Sequence, residues 1–148
     1  MKLEGTYTVR APRERVWSLL TEPENLARCL PGCQKLEATG DNCYAMTLKV
    51  GIASISGTYT GTVSLGEITP PSHLRMKVSG RGTPGFLDGE GSLDLEEQGE
   101  ETLVRYSGDV HVGGMIASVG QRMLEGAARM ILSQFFQNLT RQLTTNPQ

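Results

Sequence analysis

Hydrophobic and polar residues alternate from Lys2 to Arg10, with Leu3, Tyr7 and Val9 on one side and Lys2, Glu4, Thr6 and Thr8 on the other. A period of two predicts a half-buried strand. Ala11-Pro12 then opens a helix, since proline at the first helical position sacrifices only a donor that would be unpaired anyway. Val16, Trp17, Leu19 and Leu20 supply its inner face. Thr21-Glu22-Pro23-Glu24 restarts the chain as a second short helix, with Thr21 and Glu24 at capping-box spacing. Leu26, Ala27 and Leu30 follow before Pro31-Gly32 stops it.

From Cys33 to Gly113 the pattern is strand after strand. The breaks fall at Gly40-Asp41-Asn42, Val50-Gly51-Ile52-Ala53, Thr69-Pro70-Pro71-Ser72, Thr83-Pro84-Gly85 and the acidic stretch from Glu96 to Glu101. Such short connections imply antiparallel pairing. Met115 to Leu143 is proline-free and switches to helical spacing. Leu124, Ala128, Ile131, Phe135 and Leu139 form one stripe; Ile116, Val119, Met123, Ala127 and Met130 form an adjoining one. A helix this broadly apolar must lie against a large sheet. The order predicts an α+β fold: a curved seven-stranded antiparallel sheet around a long C-terminal helix, with two short helices after the first strand and one domain over residues 1–148.

Strand parity exposes a peculiarity. The apolar phase of the last four strands covers 21 positions from Ile55 to Val112, and seven are glycine: Gly57, Gly61, Gly80, Gly82, Gly89, Gly91 and Gly108. Glycine weakens strands, so its concentration on one face needs a reason. Kinks that curve the sheet are one; missing side-chain volume that leaves an internal cavity is the other. The predicted cavity wall is Tyr59, Met76, Val78, Tyr106, Gly108, Val110, Met123, Ala127 and Met130, with Phe86 and Leu87 at its mouth. The turns at Gly51-Ile52-Ala53 and Pro84-Gly85-Phe86-Leu87 and the segment Gly113-Gly114-Met115-Ile116 share one apolar end. Asp41, Asn42, Pro70, Pro71, Glu96, Glu97, Glu100 and Glu101 collect at the other.

Fourteen Lys+Arg against sixteen Asp+Glu give the 148 residues a net charge of -2, which argues against duplex nucleic acid as a partner. No apolar run approaches the ~18 residues of a membrane span, and the start does not read as a signal peptide. The expected location is the cytoplasm, or the inner face of the membrane. Cys29, Cys33 and Cys43 are an odd set, expected as buried or semi-buried free thiols rather than metal ligands. Gly80-x-Gly82-x-x-Gly85 matches a dinucleotide fingerprint, but a turn and a strand follow instead of a helix. Asn138-Leu139-Thr140 lies inside the last helix and is disregarded as a glycosylation sequon. His73 and His111 fall on the outward phase, leaving the hydroxyls of Tyr44, Tyr59 and Tyr106 as the inward polar groups. No catalytic residue, metal ligand or cofactor is expected, and the chain reads as a binder.

Taken together, Ala11-Pro12 with Val16-Trp17, Ala27-Arg28-Cys29-Leu30-Pro31-Gly32-Cys33 and Gly57-Thr58-Tyr59-Thr60-Gly61 resemble the carbon monoxide dehydrogenase G-subunit family. So do Pro84-Gly85-Phe86 with Gly89-Glu90-Gly91, Val112-Gly113-Gly114 and Gly120-Gln121-Arg122-Met123. The resemblance spans nearly the whole chain. It implies the helix-grip fold of the START-like, polyketide cyclase-related (SRPBCC) superfamily. It further implies a non-enzymatic accessory protein that holds a hydrophobic small molecule, a quinone or lipid, and serves a molybdenum hydroxylase of the carbon monoxide dehydrogenase type, with peripheral membrane contact. The family pattern is altered at Met115, where proline usually follows the double glycine. The alternatives are a cyclase- or dehydratase-like enzyme using a tyrosine hydroxyl to polarise a carbonyl, and a protein-interaction module with no ligand.

Overall fold

The computed structural model describes residues 1–52 and 55–145. In chain order the elements are β1 (Lys2–Val9), α1 (Arg13–Thr21), α2 (Pro23–Cys29), β2 (Cys33–Gly40), β3 (Cys43–Val50), β4 (Gly57–Thr69), β5 (His73–Gly82), β6 (Gly85–Gln98), β7 (Glu101–Gly113) and α3 (Gln121–Thr145). The seven strands form one sheet in the order β1-β7-β6-β5-β4-β3-β2. Every pairing is antiparallel.

Three local expectations change. The capping box is absent: Glu22 occupies the cap of α2, and its carboxylate accepts the Asn25 side-chain amide at 2.7 Å rather than a backbone N–H. Thr21 still belongs to α1, and its hydroxyl donates back to the Trp17 carbonyl at 2.8 Å. The acidic stretch is mostly strand, because Gly99 at φ +64 makes the tight turn and lets β6 run on to Gln98. The last helix is divided. Met115–Val119 forms a 3-10 turn, and Gly120 at φ +100 breaks it from α3. Ala53, expected in the loop before β4, lies outside the described residues.

The main core cluster lies where α1, α2 and the C-terminal half of α3 meet the sheet, while Tyr44, Met46, Tyr59, Val63 and Ala127 are buried outside it. Val16, Leu19 and Leu20 of α1 and Leu26 and Cys29 of α2 bury themselves against Val9, Leu95 and Val104 of the sheet. Phe135, Phe136 and Leu139 close this cluster from the C-terminal half of α3. Phe136 stacks on Tyr7 at 4.7 Å and on Tyr106 at 5.7 Å between centroids, with Phe135 edge-on at 5.4 Å. The Asn138 amide donates to the Cys29 carbonyl at 3.1 Å, fixing α3 on α2. Burial pushes the Cys29 thiol up to about 12, so it packs as an apolar group. Cys33 is half-buried and Cys43 exposed, the latter against expectation, because β3 turns it to the solvent side of the sheet opposite Ser64.

The inner-face glycines divide into two kinds. Gly61 faces Gly80 and Gly91 faces Gly108 in direct register. A Cβ on Gly61 would collide with the Ser79 carbonyl oxygen, and one on Gly91 or Gly108 would sit 2.7 Å from the neighbouring strand's carbonyl oxygen. These residues let adjacent strands close on each other where the sheet bends. Gly80 and Gly89 are different: the nearest atom a Cβ there would meet belongs to a side chain, at 3.9 Å and 3.4 Å respectively. They subtract volume.

The outer face is held by charge. His73 Nδ1 lies 2.7 Å from Asp94 and its Nε2 3.5 Å from Glu67. Arg75 bridges Glu67 and Glu90, which also meets Lys77.

Two outcomes follow from this architecture. Gly61→Ala should cost at least about 2 kcal/mol in denaturant unfolding, whereas Gly80→Ala should be neutral or slightly stabilising; equal costs would contradict the division. His73 is held above its ordinary value of 6.5, first by the Asp94 hydrogen bond and further by Glu67, against partial burial. Its contribution is therefore complete below that value and lost as pH rises through the raised one. The stability gap between wild type and His73→Gln should shrink on going from acid to alkaline pH, read by thermal unfolding; a gap that widens would refute the assignment.

Candidate functional site

Away from the clamped end, β4 to β7 present two apolar rungs toward α3. Val63, Val78, Gly89 and Val110 stand directly opposite one another in one; Gly61, Gly80, Leu87 and Val112 form the next. Tyr59 and Val63 are buried, but Val78, Leu87, Val110 and Val112 keep accessible surface. The facing residues Leu124, Ala128 and Ile131 of α3 are also not fully buried, while Ala127 is. Part of the apolar surface on the face of the sheet turned toward α3 thus stays accessible. None of Val78, Leu87, Val110, Leu124 or Ile131 belongs to the core cluster.

The sequence-derived wall residues separate accordingly. Tyr59, Val78, Leu87 and Val110 share the inner face of the sheet, and Ala127 is buried on α3. Met76 and Tyr106 pack against the filled core instead, and the Tyr106 ring lies over Gly5 in the space a Cβ would need. Gly108 belongs to the bend and offers no wall. Met123 and Met130 lie on the flank of α3 beside Ala127, each 49% exposed. Phe86 lies on the outer face, where its ring covers Gly113 and carries the Arg81 guanidinium 5.3 Å above its centroid. It precedes Leu87 by one residue, and a strand turns successive side chains to opposite faces. Residues not anticipated as wall are Val63, Val112, Leu124 and Ile131, although strand parity and the helical stripe already carried them.

Two of the three segments expected at the apolar end come together, those at Pro84-Gly85 and at residues 113–116. The Ile116 amide donates to the Pro84 carbonyl at 2.8 Å, and Gly85 and Gly114 approach so closely that a Cβ on either would strike the opposing segment. Met115 beside them is 73% exposed.

The chemistry of this inner face is uniform. Two inward tyrosines are buried on this side: Tyr44 stands opposite Val63, and the Tyr59 hydroxyl donates to the Ile55 carbonyl at 2.6 Å, with burial raising its pKa. His73 and His111 are on the outer face, the first in its carboxylate network and the second opposite Asp88. Among the described residues no three His, Cys, Asp or Glu side chains are placed to hold a metal. Among them, too, no helix is long and apolar enough to cross a membrane. The surroundings offer van der Waals contact and few polar partners, which suits an apolar guest more than proton transfer.

A family model described as the G subunit of carbon monoxide dehydrogenase (CoxG) matches residues 5–144. The chain is similar over 98% of its length, and 96% of the other chain, to a solved conserved protein from Geobacillus kaustophilus, with 36% identity and a TM-score of 0.95. A START superfamily protein from Mycobacterium smegmatis superposes with a TM-score of 0.76 at 16% identity over 97% of both chains. The Zhui aromatase/cyclase from Streptomyces sp. R1128 gives 0.73 at 17% identity over 100% of this chain and 96% of that one. These two likenesses show the curved START-like helix-grip fold. A 64-residue stretch is 44% identical to nucleophosmin of Xenopus laevis, covering 42% of this chain and 21% of that protein.

Removing the Tyr59 hydroxyl should act on stability. Tyr59→Phe leaves the Ile55 carbonyl without its donor and should cost about 1 kcal/mol in urea unfolding. An unchanged midpoint and slope would show that the bond contributes nothing.

Proposed function

From the premise that the chain belongs to the CoxG family of carbon monoxide dehydrogenase, we propose that it is a non-enzymatic accessory protein carrying a hydrophobic small molecule between α3 and the sheet. The observation that supports this most is the accessible apolar surface of Val78, Leu87 and Val110 beneath α3, outside the packed core. A guest covering ~300 Å² of such surface gains roughly 7 kcal/mol at ~25 cal/mol per Å², before ordering costs. An isoprenoid quinone or a comparable lipid fits a lining that has no charge to satisfy. Gly80 and Gly89 deepen the room, and Met123 and Met130 adapt its side to a long, irregular tail.

Exchange occurs at the Met115 end. Met115, Met123 and Met130 are the most exposed large hydrophobic residues among those described, and Arg122 and Arg129 are exposed on the same helix. Such a surface meets the inner face of a membrane while the guest passes. The protein served is a molybdenum hydroxylase of the carbon monoxide dehydrogenase type, in line with the family. A cyclase-like reaction is disfavoured because the Tyr59 hydroxyl is engaged by the backbone and no carboxylate lies among the wall residues.

Purification under native conditions, solvent extraction and mass spectrometry should recover a stoichiometric quinone or lipid. Val78→Trp, which places an indole in the room, should fold and lose it. Gly108→Leu is unsuitable, since its Cβ alone would meet the Glu90 carbonyl at 2.7 Å. A folded Val78→Trp protein that retains its guest would contradict the site. Turnover of a carbonyl substrate abolished by Tyr59→Phe would favour the enzyme instead.

A further inference from the structure

The outer face carries a cleft on the side of the sheet turned away from α3. Lys35, Thr47, Thr60 and Arg81 stand directly opposite one another across β2, β3, β4 and β5. Together with Glu37 and Thr62 they border a cleft of about 370 Å³. Two cations thus flank a short row of hydroxyls, all on the side of the sheet turned away from α3.

The polar groups of this cleft are only partly spent. Arg75, Lys77 and Arg105 on the same face each meet a carboxylate. Arg81 meets none within 4.0 Å among the described residues. Its guanidinium is instead positioned over the Phe86 ring, 5.3 Å from the centroid. Asp88, further along β6, accepts the Ser79 hydroxyl at 2.8 Å. The hydroxyls of Thr47, Thr60 and Thr62 donate to no protein group among the described residues. Lys35 is shared with Glu37 at 3.3 Å. Lys35 and Arg81 less Glu37 leave one net positive charge, enough for a monoanion. A dianion would be undercompensated.

We propose that this cleft binds a small carboxylate-bearing molecule, with Arg81 as the anchoring fork and Thr47, Thr60 and Thr62 as hydroxyl donors. Planar bidentate recognition is what a guanidinium offers a carboxylate, and stacking on Phe86 pre-organises it. Glu37 competes for Lys35, so its removal frees a second donor.

Backbone amide NMR of the whole chain, titrated with propionate to about 20 mM against chloride at matched ionic strength, tests this. Saturable shifts are expected at the Thr47, Thr60 and Thr62 amides and the Arg81 side chain. Arg81→Gln, an exposed position that should fold, should weaken binding at least about tenfold, and Glu37→Gln should tighten it. No saturation, or an unchanged affinity in Arg81→Gln, would overturn the proposal. Saturation by inorganic phosphate at these amides without any by propionate would overturn the carboxylate assignment. Loss of the apolar guest in Val78→Trp should leave these shifts unchanged.

Discussion

Two glycine pairs, Gly61 with Gly80 and Gly91 with Gly108, lie in register on the inner face, and the backbones beside them come close together. That close approach is the constraint on which the rest depends. A side chain at Gly61 would collide with the Ser79 carbonyl, so the neighbouring strands can bend together only where it is missing. The bent sheet then meets α3 firmly at one end, through Phe135, Phe136 and Leu139, and keeps half-buried apolar residues at the other.

The consequence is a division of labour along α3. Its C-terminal half is locked by aromatic stacking and by the Asn138 bond to α2. Its N-terminal half follows a glycine break at Gly120 and faces half-buried apolar rungs. Close packing is thereby concentrated at one end of the helix. The outer face repeats the separation: an interlocked charge network around His73, Arg75 and Glu90 at one end, and the uncompensated Arg81 at the other.

Most of the architecture was legible because period two and helical period are dictated by which face a residue buries. The seven strands, both short helices and the single sheet follow from that alone, as does the outward phase of His73 and Arg75. Boundaries set by hydrogen-bond competition were not legible. Thr21 bonds backward to Trp17 rather than forward to cap α2, a choice between two local acceptors that spacing does not decide. Val78, Leu87 and Val110 fell on the inner face, where parity put them. Phe86 did not, since it was assigned to the mouth by its place in the apolar turn rather than by its phase. Met76 and Tyr106 have the right phase but lie under the clamped end, and position along a strand relative to a distant helix is a tertiary property. Glycine alone left bending and missing volume undistinguished, because only the neighbouring backbone separates Gly61 from Gly80.

The central claim is empty apolar space between the β5–β7 rungs and α3. Xenon enters such space without needing any polar partner, so diffraction from xenon-pressurised crystals of guest-stripped protein measures it directly. A xenon peak bounded by Val78, Leu87, Val110 and Ala127 is the predicted result. A protein that crystallises without that peak, its α3 side chains packed down onto these valines, would contradict the account.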